Sequence, residues 1–174
     1  TFIDNSEDYF FTFNYTSVLE RIYRVPSNHI LHIHGGLYPY CDEPPILGHG
    51  NVKKIKEYRE KAERAAEEYD EGKESIYNAI ANYYERTFKN TNECMSFRGI
   101  FFRQLTEVNN VEIIGHSFGE VDMPYFTYLK YCISKNAKWK FYYHSSEDYN
   151  AAEKAVKELE LDIGDYEILP SDCF

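Results

Sequence analysis

The sequence predicts a doubly wound α/β domain with a mostly parallel sheet of about five strands, Rossmann-like in type. Two observations carry this: short apolar or aromatic runs recur with stretches of helical period between them, and each run ends in a small or polar loop. Such alternation implies right-handed crossovers, which gather the loops that bind ligands at the carboxyl ends of the strands.

The first strand is expected over 8–13, around Tyr9-Phe10-Phe11-Thr12-Phe13, and a helix over 16–25, where Val18, Leu19, Ile22 and Tyr23 share a face. A second strand over 30–33 runs into His34-Gly35-Gly36. A Pro-rich loop over 39–45 follows and lies outside any sheet, because proline lacks the donor that a ladder or helix requires.

Helical period then dominates. Val52, Ile55, Tyr58, Ala62, Ala65, Ala66 and Tyr69 fall on one face of a helix over 52–69, and Asp70-Glu71-Gly72 breaks it. Ile76, Tyr77, Ile80, Tyr83, Tyr84 and Phe88 mark a second helix over 74–89, and a third is expected over 97–107. The span 52–108 thus reads as a helical insertion within a single domain of 174 residues, its tyrosines serving as helix-helix core.

Val111-Glu112-Ile113-Ile114 has the composition of a buried strand. After it, Asp122 is placed to cap a helix with Pro124 in its first turn, and Phe126, Leu129 and Ile133 face the sheet. Alternation about Trp139, Phe141 and Tyr143 predicts a strand over 138–143. Ser145 or Ser146 caps a helix through Leu161, and a last strand covers 166–169.

Composition narrows the function classes. Asp and Glu number 29 against 19 Lys and Arg, a formal charge of −10, and the charges alternate along helices, so there is no basic face for direct nucleic-acid binding. Cys41, Cys94, Cys132 and Cys173 lack paired spacing, which argues against a zinc cage or a disulfide framework and suits a reducing, cytoplasmic setting. No apolar run spans a bilayer, so no membrane partner is expected. The first residue is Thr and a strand follows almost at once, the pattern of an excised or processed chain.

Three loops that share the carboxyl edge carry the candidate chemistry: Asn14-Tyr15-Thr16, His34-Gly35-Gly36, and Gly115-His116-Ser117-Phe118-Gly119 running on to Asp122. Asn14 has both a donor and an acceptor with which to orient water or a ribose hydroxyl; its structural alternative is a helix N-cap. His34, followed by glycines that let a ligand approach, is a candidate general base, whereas His32 is assigned to the core. The Gly115–Gly119 stretch is either a phosphate or ribose loop at a helix start or a tight strand-helix turn. It also fits the G-x-S-x-G pattern of a serine hydrolase, but no acid follows a later strand as that fold requires. Leu47-Gly48-His49-Gly50 reads as a Gly-rich turn. A metal held by His32, His34, His116 and Asp122 is considered and not predicted.

In order and linking length, Phe11-Thr12-Phe13-Asn14-Tyr15-Thr16 with Leu19-Glu20, His32-Ile33-His34-Gly35, Ile46-Leu47-Gly48-His49, and Ile113 to Gly119 with Asp122 resemble the AbiH family of bacterial abortive infection. That family is similar in fold to the Sir2-like group of NAD-processing domains. The resemblance implies Asn14 and His34 as catalytic residues acting on the nicotinamide ribose of NAD. It implies Thr16, Gly35, Gly115, His116, Ser117 and Asp122 as nucleotide-binding residues. Thr16 departs from the Asp that Sir2-like relatives commonly carry, and the absence of paired zinc cysteines argues against a deacylase. Both families begin with a strand and a Gly-rich phosphate loop, and no such segment occurs here.

The expectation is therefore a phage-defence protein that hydrolyses NAD or a related nucleotide, triggered by a phage or host protein and acting as a monomer or homo-oligomer. The alternatives are a non-catalytic nucleotide-sensing or protein-interaction domain, and a serine hydrolase using Ser117.

Overall fold

The fold is described from a computed structural model of the 174-residue chain, covering residues 7–37 and 45–173. The Pro-rich loop over 39–45, apart from Pro45, and Cys41 lie outside the described residues. The chain divides into two compact units, one formed by Thr1–Pro45 and Asn92–Phe174 and the other by Ile46–Thr91.

In the first unit the elements run β1 (Phe10–Thr12), α1 (Val18–Arg21), a 3₁₀ turn at Ser27–His29 and β2 (Ile30–His32). After the second unit come α4 (Thr91–Phe97), α5 (Gly99–Arg103), β3 (Asn110–Ile114), α6 (Met123–Cys132), β4 (Lys138–Tyr143), α7 (Ser146–Glu158) and β5 (Tyr166–Pro170). Every strand pairing is parallel, as the alternation of strand and helix requires.

The sheet departs from expectation. Among the described residues the five strands form two sheets, β1-β2 and β3-β4-β5, rather than one continuous sheet. The edges of β1 and β3 that face away from their partners instead line a common groove. The helix expected over 16–25 shrinks to the single turn of α1, closed by Arg24 at φ 61°. The segment over 97–107 is not one helix, since α4 and α5 split near Arg98 and Gly99.

Aromatic packing holds the first unit together. Phe11 of β1 meets Phe102 of α5 and Tyr125 of α6 edge-on, and Phe13 stacks on Phe126 at 5.4 Å. Phe126, Leu129 and Ile133 are buried, as their spacing predicts. Ser145 caps α7 through a reciprocal box with Asp148. Lys130 donates to the carbonyls of Leu159 and Glu160 just past the end of α7, satisfying groups that a helix end leaves without partners.

The second unit is an antiparallel pair, α2 (Val52–Glu67) and α3 (Glu71–Arg86), each started by a side-chain cap, Asn51 and Asp70 respectively. Arg59 joins the two helices by donating to Glu85, Asn78 and Asn82. Tyr58 stacks on Tyr84 at 5.9 Å and lies 6.2 Å from Tyr77, so these half-buried tyrosines pack between the helices, whereas Tyr69 and Tyr83, expected on the same inward faces, are exposed. The turn at Gly48-His49-Gly50 closes the unit: His49 exchanges backbone bonds with Thr87 and Lys89, its ring sits 4.8 Å from Tyr84, and its Nδ1 accepts from the Asn51 N–H.

Candidate functional site

The three loops that follow β1, β2 and β3 share one end of the first unit. The first two are joined by the backbone, the Leu37 N–H donating to the Tyr15 carbonyl at 2.9 Å. Immediately beyond β2 the chain turns, with Gly35 at φ 73° and its N–H bonded to the His32 carbonyl. A side chain at Gly35 would be strained, and this turn carries the His34 ring inward, leaving the residue 3% exposed.

His34 Nε2 lies 3.3 Å from Oδ1 of Asp122, and His116 Nε2 lies 3.6 Å from the other oxygen. The second contact is at ion-pair rather than hydrogen-bond distance. Residues 88 positions apart in the sequence are thus brought onto one carboxylate. Asp122 occupies the N-cap position of α6 but makes no side-chain cap bond there. Its carboxylate serves the histidines instead, a correction to the capping role expected of it.

The surrounding bonds fix the proton positions. His116 Nδ1 accepts from the Phe118 N–H at 2.9 Å, which leaves Nε2 as the protonated nitrogen facing Asp122. If His34 donates its Nε2–H to the carboxylate, its neutral ring keeps a lone pair on Nδ1. That atom is buried and has no partner among the described residues. Burial tends to raise the Asp122 carboxyl, but the N–H groups that His116 and His34 turn toward it outweigh burial and hold the group well below the usual carboxylate range. The Tyr15 hydroxyl is pushed up, first by burial and then by the charge of Asp122.

Aromatic rings wall this trio. Phe13 lies 4.3 Å from His116 and 5.7 Å from His34, and Tyr125 meets His34 edge-on at 5.3 Å. Neither Tyr125 nor Phe13 stands out as a site residue in the sequence; a signal for Tyr125 was its place in the first turn of the helix that Asp122 begins.

His32 has a different task. Its Nε2 lies 2.8 Å from Glu20 and its Nδ1 2.8 Å from the Asn14 carbonyl, so both ring nitrogens are engaged in tying β2 to α1 and the first loop. Asn14 is exposed, with its backbone held on both sides, the N–H by Thr12 Oγ1 and the carbonyl by His32. It does not cap α1, whose N-cap position is Ser17.

Thr16 and Ser117 are exposed, and no hydrogen bond or ring contact joins them to the trio among the described residues. The positive φ angles of the third loop fall at Gly115 and Phe118, not at Ser117, and α6 begins only at Met123. A nucleophile elbow needs the strained turn at the serine and the helix directly behind it, so this loop lacks both features. The same spacing separates Ser117 from the helix start that an anion loop would use. No group of three or more metal-ligating side chains is present among the described residues.

The family model for bacteriophage abortive infection AbiH matches residues 1–143. The chain belongs to the AbiH family. Membership makes it a protein of phage abortive infection, and the match spans all three loops and the His34-Asp122-His116 trio. The AbiH chain matches no curated protein and no solved structure. No helix among the described residues is long and apolar enough to cross a membrane.

Proposed function

We propose that this AbiH protein arrests growth by hydrolysing NAD or a related nucleotide at the carboxyl ends of β1, β2 and β3. What supports the reading is the buried His34, paired to Asp122 through one nitrogen and holding on the other an acceptor with no partner among the described residues. That is the arrangement of a general base whose tautomer is set by a carboxylate.

In this mechanism the bond between the ribose anomeric carbon and nicotinamide breaks, and nicotinamide leaves with the bonding electrons. The sugar passes through an oxocarbenium-like state, and water oriented by Asn14 adds to the same carbon. His34 Nδ1 accepts a proton from a ribose hydroxyl while positive charge develops, and the Asp122 carboxylate stabilises the imidazolium so formed. The net change consumes one NAD and one water and yields ADP-ribose, nicotinamide and a proton. Phe13 and Tyr125 keep the base in apolar surroundings, where its pairing with Asp122 is stronger than in water.

The test is nicotinamide release from NAD by the purified protein, with Asn14→Ala and His34→Ala as controls. Loss of release in both variants supports hydrolysis. Binding of NAD without cleavage makes the site a sensor, and neither binding nor cleavage removes NAD from the account.

A further inference from the structure

No step of the proposed reaction uses the polar pair beneath the first loop. Glu20 and His32 form it at 2.8 Å, with both side chains buried. A carbonyl can only accept, so the His32 Nδ1 that lies 2.8 Å from the Asn14 oxygen carries a hydrogen and donates it. A second proton then lies between Nε2 and Glu20 Oε1, and whichever of the two holds it, the pair has no net charge. The bonds thus run from α1, through the last residue of β2, to the backbone of Asn14.

Anchoring of α1 does not account for this arrangement. Replacing a buried ion pair by apolar residues of similar volume is often neutral or stabilising, so a leucine at position 20 would fix the turn to the sheet with less desolvation. The pair is also incomplete as a stabiliser, because the other Glu20 oxygen, Oε2, is buried with no partner among the described residues. What an apolar pair cannot do is donate to a carbonyl.

That donation completes a hold on Asn14. Thr12 Oγ1 accepts from its N–H at 3.1 Å while His32 donates to its carbonyl, so both peptide groups that flank the Asn14 Cα are gripped by side chains. Thr12 and His32 are partners across the β1–β2 ladder, and the two grips spring from one rung. Neither bond uses the Asn14 side-chain amide, which stays at the disposal of a bound molecule.

We infer that His32, its ring oriented by Glu20, is a positioning residue for the reaction: it fixes the Asn14 backbone so that the amide meets the attacking water. A histidine oriented by a carboxylate on one nitrogen acts with a defined geometry through the other. His34 with Asp122 repeats the device two residues further on, so each pair serves one of the two proposed catalytic residues. The effect on rate rests on the proposed hydrolysis, whereas the hold on Asn14 does not.

The experiment separates the two bonds of the ring. A glutamine amide nitrogen falls near the place of Nε2 and an asparagine amide nitrogen near that of Nδ1. His32→Gln therefore keeps the bond to Glu20 and drops the one to Asn14. The double variant Glu20→Gln with His32→Asn does the reverse, and it leaves no unpaired carboxylate buried. Backbone order parameters over residues 14–16 are measured by NMR relaxation, with kcat and KM for nicotinamide release, all well below the lowest Tm so that unfolding does not enter. The Asn14 amide is expected at an order parameter of about 0.85 in the wild-type chain and below about 0.6 in His32→Gln. In the same variant kcat falls by about ten-fold or more while KM stays within about two-fold. The double variant restores the order parameter and recovers kcat by about five-fold over His32→Gln. A rigid Asn14 in His32→Gln, or a double variant as mobile and slow as His32→Gln, makes the pair structural and overturns the inference. If the wild-type chain releases no nicotinamide, the hydrolysis falls, and the order parameters alone decide the hold on Asn14.

Discussion

Asp122 stands at the N-cap position of α6 yet turns its carboxylate away from the helix, reaching His34 Nε2 at 3.3 Å across the ends of two strands. The AbiH chain thereby gives up one helix cap, an interaction worth about 1 kcal/mol, and gains a charged partner for two histidines. That exchange makes Asp122 the most informative residue to change.

Asp122→Asn keeps the size of the side chain and removes its charge. Under the proposed reaction the imidazolium of His34 loses its stabilising partner, and nicotinamide release falls by about 100-fold or more. NAD binding changes much less, so kcat carries the loss and KM moves little. An equal rise in KM with kcat intact assigns Asp122 to binding instead.

The same carboxylate sets a pH dependence of stability. Its folded-state pKa is depressed, so its contribution is complete above the ordinary carboxylate range and is lost as pH falls through that range toward the folded value. Tm of the wild-type chain is therefore expected to fall more steeply between about pH 5 and pH 2 than that of Asp122→Asn. Glu57, drawn down to about 2 by Lys54 and then Lys61, titrates in the same window, but it does so equally in both proteins and cancels in the difference. Superimposable profiles would show that the trio contributes nothing to folding.

His32 and Glu20 are each only 6% exposed at the side chain and form a 2.8 Å pair. Glu20→Ala leaves the His32 Nε2 buried without its partner, and the expected cost is about 1–3 kcal/mol by urea denaturation. A double variant with leucine at both positions is expected to cost less than the sum of the single changes, a coupling of about 1 kcal/mol or more. Additive effects are the contrary result.

Two glycines of the helical unit predict opposite signs. A Cβ on Gly48 would stand 2.2 Å from the Thr87 carbonyl oxygen, so Gly48→Ala forces backbone apart at the His49–Phe88 bridge and costs about 1–3 kcal/mol. A Cβ on Gly72, in the first turn of α3, meets nothing nearer than Asp70 Oδ1 at 3.6 Å. Gly72→Ala is expected to stabilise by about 0.5–1 kcal/mol. Thermal unfolding followed by helical circular dichroism reads both.

Period and turn chemistry disclose most of the elements because each is a local property. The strand at Lys138–Tyr143 is announced by alternation about Trp139 and Phe141, and the start of α7 by Ser145 with Asp148 three residues on. The sheet is less legible. Strand patterns say which residues are extended but not which edges meet, so the division into β1-β2 and β3-β4-β5 is invisible in them. At the site, His34 and Asp122 are individually readable from their places after a strand and before a helix. Their contact is not, because it depends on tertiary folding across 88 positions. Nor could Asp122 be known to forgo its cap, since the sequence around it is that of an ordinary helix start with Pro124 behind.

The α2–α3 hairpin interrupts the chain between β2 and β3, and its closing contacts, such as Arg59 with Asn78, Asn82 and Glu85, are local. The parallel ladders require a crossover to be closed before the first bond between strands is gained. Helical pairs form in microseconds, whereas pairings of high contact order take far longer. During refolding the hairpin is therefore expected to acquire its amide protection first, and pulse-labelled hydrogen exchange gives the order. The interruption then acts as a kinetic clamp: once folded, the hairpin shortens the effective tether between the two sheets, so the polypeptide that separates β2 from β3 hastens the assembly of the halves it divides.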